Sequence, residues 1–253
     1  MKKRLDLLLV ERGLAESRAQ AQALVMAGLV RGHAKAGERV DAAAELVVER
    51  GPRYVSRGGD KLARALAAFC IDVRGASCLD VGASTGGFTD CLLQAGAARV
   101  VALDVGRGQL HPRLRRDPRV TVIERQNARH LHALPFPPEV VTCDVSFISV
   151  EAVLPTVLAL AAPRWRALVL VKPQFEAGRR DTPKGVVRDP AVHRRVLRRL
   201  VEAATAWQAE TRGVVDSGLP GPKGNREFFL YLVHAQRPTL PHDLDLWIDT
   251  AVG

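Results

Sequence analysis

Apolar and polar positions follow two periods along this chain. Between residues 4 and 30 the period is helical. Leu5, Leu8 and Leu9 share one face, and Gly13 closes a first predicted helix. Ser17 is the expected N-cap of a second helix over Arg18–Ala27, ended by Gly28. Short β-like pieces follow at Leu29-Val30 and Glu45–Val48. This predicts a small α+β module over residues 1–50, with Gly51-Pro52 opening a linker over 51–57. A helix is predicted over Gly59–Phe69. From Ser77 onward, apolar runs of strand length alternate with helical patterns. The strands are read at Cys78–Val81, Val100–Asp104, Val120–Glu124, Val140–Asp144 and Leu168–Lys172. The helices are read at Gly87–Ala95, Val150–Leu160 and Ala191–Ala206. Two more strands, Gly213–Ser217 and Glu227–Val233, are joined by a Gly/Pro-rich connection and should pair antiparallel. Alternating β and α units predict an α/β domain over 58–253. Its sheet should be mostly parallel, covered on both faces, with an antiparallel C-terminal strand.

The first strand of this domain runs into a turn of small residues, Gly82-Ala83-Ser84-Thr85-Gly86-Gly87-Phe88-Thr89. Such a turn lets backbone approach a ligand and opens a helix whose free N–H groups face it. Read alone it predicts a nucleotide-like cofactor, the alternative being a tight strand–helix turn with no ligand. The hydride-transfer fingerprint G-x-G-x-x-G is absent. An acid, Asp104, ends the next strand about 20 residues on, where ribose hydroxyls are read. With Asp80 before the turn, this resembles the Rossmann-like class I methyltransferases, which use S-adenosylmethionine. The resemblance implies cofactor contacts from Asp80, Gly82, Ala83, Ser84, Thr85, Gly86, Gly87, Phe88, Asp104, Val105 and Asp144, with Asn127 near the adenine.

The chemistry should lie at the other strand ends. Amino-methylating enzymes resemble [DNS]-P-P-[YF] after the fourth strand, but this chain reads Asp144-Val145-Ser146-Phe147. Base-carbon methylation uses Pro-Cys, but Thr142 precedes Cys143, which should lie inside the strand. Four charges fit a different reaction. Asp144 and Lys172 end neighbouring strands, Glu227 opens an antiparallel strand on the same edge, and Lys61 lies on the helix before the sheet. Methylating a ribose 2′-hydroxyl needs such a set. The oxygen is a weak nucleophile whose proton must leave near the transition state. A lysine can take that proton when its pKa is lowered, or stabilise the alkoxide, and carboxylates fix the lysines.

Charge adds a partner. Lys and Arg number 37 against 27 Asp and Glu, a net charge of +10 spread along the chain, as a polyanion-binding surface would require. Clusters stand at 2–4, 113–119 and 194–199, although a solvated helix face is the commoner fate of the last. The four cysteines have no C-x-x-C spacing, so neither a disulfide framework nor a metal site is expected, and a reducing cytoplasm fits. No apolar run approaches a membrane span, and Glu11 and Arg12 break the N-terminal apolar stretch, unlike a signal peptide.

Five ordered motifs carry a closer resemblance. They are 82–89, Asp-Val-Gly-Arg-Gly-Gln-Leu (104–110), Asp-Val-Ser-Phe-Ile-Ser (144–149), Val-Lys-Pro-Gln-Phe-Glu (171–176) and Gly-Asn-Arg-Glu-Phe-Phe-Leu (224–230). Together they resemble the TlyA family of rRNA 2′-O-methyltransferases, also called hemolysin-like, with an FtsJ-type catalytic domain. The resemblance implies S-adenosylmethionine as cofactor and a catalytic tetrad of Lys61, Asp144, Lys172 and Glu227. It also implies rRNA or a ribosomal subunit as partner, with a 23S cytidine, and in some members a 16S one, as target. Residues 4–18 are similar to the RNA-binding domain first described in ribosomal protein S-four, which makes Arg4, Ser17 and Arg18 RNA-contact candidates. Val30-Arg31-Gly32-His33 departs from that domain's usual Val-Asn-Gly turn. Two other classes fit less well: a non-catalytic RNA-binding assembly factor, disfavoured by the intact tetrad positions, and a lytic protein, disfavoured by the lack of a span, signal or amphipathic membrane helix.

Overall fold

The computed structural model describes residues 2–49 and 51–253. The chain divides into two compact units, Met1–Arg53 and Tyr54–Gly253.

In the first unit, strand β1 (Lys2–Arg4) runs into helix α1 (Leu5–Glu11). Helix α2 (Arg18–Met26) follows, and strand β2 (Arg39–Asp41) pairs antiparallel with β1. Leu5, Leu8 and Leu9 of α1 bury against Ala21 and Val25 of α2, as the helical period predicts. Gly13 stops the first helix in the left-handed region, and Ser17 caps the second by accepting from the Gln20 N–H at 3.2 Å. The expected β pieces around Leu29-Val30 and Glu45–Val48 reduce to one antiparallel bridge, Val30 to Val48. Strand β1 was not expected. Three basic residues carry no alternating pattern, and only pairing with β2 makes them a strand.

The second unit opens with α3 (Gly58–Ala68), β3 (Ser77–Val81), α4 (Gly87–Gln94) and β4 (Arg99–Leu103). Then come α5 (Pro112–Arg115), β5 (Val120–Ile123), β6 (Val140–Cys143), α6 (Leu154–Leu158) and β7 (Arg166–Val171). It closes with α7 (Pro173–Glu176), α8 (Pro190–Ala204), β8 (Ala209–Asp216), β9 (Phe228–His234) and α9 (Leu244–Val252). The seven strands from β3 onward lie in the order β5-β4-β3-β6-β7-β9-β8. All pair parallel except β9, which runs antiparallel between β7 and β8. Successive strand residues face opposite sides, so two cores form. Leu79, Val81, Val141, Val169 and Phe228 pack with α6, α8 and α9. Cys78, Val100, Val140, Leu168 and Phe229 pack with α3 and α4 on the other face. Burying each large side chain contributes about 1.5–3 kcal/mol.

The structure departs from the expected elements, beyond the short added helices α5 and α7, in further details. The helix read over Val150–Leu160 is broken into a 3-10 turn at Val150–Ala152 and the short α6. Pro155 lacks the N–H that a continuous ladder would need. Residues 51–57 are not all linker. Tyr54 is buried in the second unit's core, and Val55 donates its N–H to Asp90 Oδ2 at 2.9 Å. The helix α9 was not anticipated, and it covers the sheet face beside α8. Among the described residues no helix is long and apolar enough to cross a membrane.

Candidate active site

The strand order reverses between β3 and β6: β3 continues to β4 on one side, and β6 joins on the other. Ligands of open α/β sheets bind at the carboxyl ends beside such a point. The turn after β3 enters it. Gly82 adopts φ +81°, and a Cβ there would lie 2.6 Å from the Asp144 carbonyl oxygen, so only glycine lets the two strand ends meet. Gly86 begins α4 at φ +97° against Leu110 and Leu114.

Two adjoining cavities open here. One, about 500 Å³, is walled by Val81, Leu103, Asp104, Val105, Asn127 and Ile148, among others. The second, about 410 Å³, is bounded by Ser56, Arg57, Lys61, Lys172, Glu227 and the turn residues Ala83, Thr85, Gly87 and Phe88. Gly82, Ser84 and Asp144 stand on both walls.

The first cavity has the donors and acceptors of a nucleoside site. Asp104 Oδ2 accepts from the Ser84 N–H at 2.8 Å, and Oδ1 from the Gly106 N–H at 2.6 Å. The carboxylate is thereby fixed, with lone pairs left for hydroxyls. Asn127 Oδ1 accepts from the Arg129 N–H at 3.0 Å, leaving its amide nitrogen to donate. Val81, Leu103, Ile148 and Val153 supply an apolar wall suited to a base. A glycine cradle, a carboxylate for sugar hydroxyls and an apolar slot fit an adenosyl cofactor.

Asp80 does not belong on this wall. It lies beneath the turn, wholly buried, and lines neither cavity. Its carboxylate accepts from Thr89 Oγ1 at 2.7 Å and from Thr142 Oγ1 at 3.1 Å, tying β3 to α4 and β6. Burial pushes its pKa up to about 7. Between the usual carboxylate value and that figure, the folded state holds the proton and the unfolded state does not. Stability therefore falls as pH rises through this window. Asp80→Asn is expected to raise stability at pH 8 by roughly 2 kcal/mol and to flatten that dependence. Melts at pH 5 and pH 8 check this, and an unchanged slope would refute it.

The second cavity gathers all four predicted catalytic residues, as two pairs rather than one network. Lys61 Nζ donates to Glu227 Oε2 at 2.6 Å, with both side chains nearly removed from solvent. Lys172 Nζ stands 2.6 Å from Asp144 Oδ1 and donates to Ser146 Oγ at 2.8 Å. Among the described residues Glu227 Oε1 is buried and has no hydrogen-bond partner. Gly221 backs that carboxylate so closely that any side chain there would strike it. Ser146 escaped the sequence reading. Its signal was its place two residues after Asp144 in a turn without prolines. Arg57 and Ser56, which also wall this cavity, precede Lys61 in a stretch whose spacing pointed only to the lysine. Cys143 is buried, and burial pushes its thiol up to about 12, so it offers no thiolate.

In the first unit, Arg4 and Arg18 converge on the buried Asp6, which accepts from Arg4 Nε at 3.1 Å and Nη2 at 3.0 Å, and from Arg18 Nε at 2.9 Å. The Arg4 hydrogen bonds above all hold Asp6 well below the usual carboxylate range. Both guanidinium groups stay substantially exposed, side by side. The Ser17 hydroxyl is engaged as a helix cap. The arginines of α8 prove paired: Arg194 with Asp249, Arg195 with Asp181, Arg198 with Asp245, and Arg199 with Glu151 and Glu176.

A mostly parallel sheet with an antiparallel strand, a glycine turn at its reversal point and two lysine–carboxylate pairs define a Rossmann-like methyltransferase. The sequence matches the FtsJ-like methyltransferase family over residues 54–234 and the S4 domain over residues 3–31. It is 48% identical over 240 residues to the Bacillus subtilis protein YqxC, covering 91% of this chain and 85% of that one. It is also 48% identical over 238 residues to the 16S/23S rRNA (cytidine-2'-O)-methyltransferase TlyA of Mycobacterium tuberculosis, covering 90% and 89%. A solved structure from Streptococcus thermophilus, 39% identical, superposes with a TM-score of 0.77 over 99% of this chain and 95% of that one. The chain belongs to the TlyA family of FtsJ-like methyltransferases.

Proposed function

We propose that the protein transfers a methyl group from S-adenosylmethionine to the ribose 2′-hydroxyl of a cytidine in 23S rRNA. The observation that carries this reading is the meeting of two lysine–carboxylate pairs on a cavity that shares Gly82, Ser84 and Asp144 with a nucleoside-shaped one. Asp104, Asn127, Val105 and the turn from Gly82 would hold the cofactor. Bound there, S-adenosylmethionine supplies an electrophilic methyl group on a sulfonium.

The protein's own residues prepare the acceptor. Lys172, steadied by Asp144 and Ser146, faces the hydroxyl: once its ammonium has shed a proton to solvent, the neutral amine takes the hydroxyl proton, and the ammonium so re-formed offsets charge developing on the oxygen. Lys61, anchored by Glu227, adds a second positive charge. Aligning the sugar oxygen against the donor supplies much of the remaining acceleration. The S4 unit, with Arg4 and Arg18 held by Asp6, supports attachment to RNA phosphate. The name of the Mycobacterium relative extends the substrate question to 16S rRNA, and its cytidine-2'-O chemistry matches the lysine-rich site here. Mapping tritiated methyl groups by mass spectrometry onto purified ribosomal subunits tests the reading. A label on a 2′-O-methylcytidine of 23S rRNA is expected. Label on a base carbon, on an amine or on neither rRNA would overturn it.

A further inference from the structure

Two Pro-Lys-Gly turns lie beside the catalytic cavity, at Pro183–Gly185 and Pro222–Gly224. They repeat one unusual conformation. Lys184 and Lys223 both sit in the left-handed region, at φ 55° and 57°, and the following glycines both adopt φ +78°. Left-handed lysine is costly, and such outliers collect where function requires them. A single buried side chain rivets the turns together. Asn225 donates through Nδ2 to Gly185 O at 3.0 Å and Pro222 O at 3.1 Å, and its Oδ1 accepts from the Val187 N–H at 3.0 Å. Lys223 Nζ reaches the Lys184 carbonyl at 3.4 Å.

Both loops grow from catalytic residues. The first follows Lys172 through α7, and the second ends in Glu227, with Pro222 itself on the cavity wall. Together they expose Arg179, Arg180, Lys184, Arg188 and Lys223, which have no carboxylate partner among the described residues. The nearby acids are engaged, Asp181 by Arg195 and Asp189 as the cap of α8. The contrast with α8 decides where a polyanion goes. That helix is as arginine-rich, but every one of its arginines faces an acid.

We infer that the riveted Pro-Lys-Gly turns form a clamp for the RNA phosphodiester backbone flanking the target nucleotide, and that α8 takes no part in it. The inference rests on the RNA substrate proposed above. Phosphates bound there would seat on cations already free of competing carboxylates, beside the cavity that receives the ribose.

The test uses the full chain and a 23S rRNA transcript in filter binding across a salt series. Lys184→Ala/Lys223→Ala is expected to weaken binding by roughly tenfold or more and to reduce the slope of log K on log salt by about one to two. Its melting temperature should match the parent's. Arg194→Ala/Arg198→Ala should keep the parental slope. An unchanged slope in the lysine variant, or an equal loss in the α8 variant, would overturn the clamp. If the parent methylates rRNA while the lysine variant binds normally, the clamp alone fails. If the parent neither binds nor methylates rRNA, the substrate reading fails with it.

Discussion

Lys172→Ala is expected to lower methyl transfer by about 10³-fold or more while leaving cofactor affinity within about twofold. Lys172 Nζ touches both Asp144 and Ser146 at the boundary between the two cavities. Removing it takes away the positive charge and the proton acceptor nearest that boundary. It leaves Asp104 and its two backbone hydrogen bonds untouched. The Asp144 carboxylate is partly solvated, but the Oδ1 that faces Lys172 is buried, so its loss of a partner should cost about 1–3 kcal/mol of stability. Lys172→Arg separates the two roles. Arginine keeps the charge and can pair with Asp144, but it does not give up or take a proton at neutral pH. Restored turnover in Lys172→Arg would mean that charge stabilisation suffices, and continued inactivity that proton transfer is required. Single-turnover methylation at saturating rRNA, beside calorimetric titration of the cofactor, reads both. Full activity in Lys172→Ala would sink the mechanism.

The strand ends carried most of what could be read from the sequence. The glycine turn, Asp104, Asn127, Asp144 and Lys172 were legible because apolar runs of fixed length locate the carboxyl edge of a parallel sheet, and ligand-facing residues must follow there. Asp144, Lys172 and Glu227 could be gathered on one edge by the same rule, with Lys61 on the helix before the sheet. Their partition into pairs could not. Whether Lys61 meets Glu227 or Asp144 depends on how α3 packs across β9, which no local period records. Asp80 shows a second limit. Its position before the turn suggests ligand contact, but strand alternation turns it under the sheet, where Thr89 and Thr142 receive it. The arginines of α8 show a third. Their charge was plain, but the acids that neutralise two of them lie on α9, some fifty residues away, in a segment with no recognised strand or helix signal. The unpaired lysines of the Pro-Lys-Gly turns stand out only once those pairings are known.

Glu227→Ala should destabilise the fold by about 3–5 kcal/mol, because it strands the Lys61 ammonium in a nearly closed site. Against a total stability of about 5–15 kcal/mol, that is enough to compromise folding. Loss of activity in this variant alone would therefore say little about chemistry. The double variant Lys61→Met/Glu227→Met removes both charges and refills the volume with flexible apolar chains. Replacing a buried pair in this way is often neutral or stabilising, so its melting temperature should stay near the parent's. Its methyl transfer should nonetheless fall by at least about 10²-fold, since the second positive charge is gone. A thermodynamic cycle through Lys61→Met and Glu227→Met, each of which strands one buried charge, should give a coupling of at least about 3–5 kcal/mol between two residues in direct contact. Denaturant melts measure the coupling, and rRNA methylation of the double variant measures the chemistry. A stable, fully active double variant would reduce the Lys61–Glu227 pair to packing. A stable, inactive one means that the fold keeps an ion pair it does not need for stability because the reaction needs both charges.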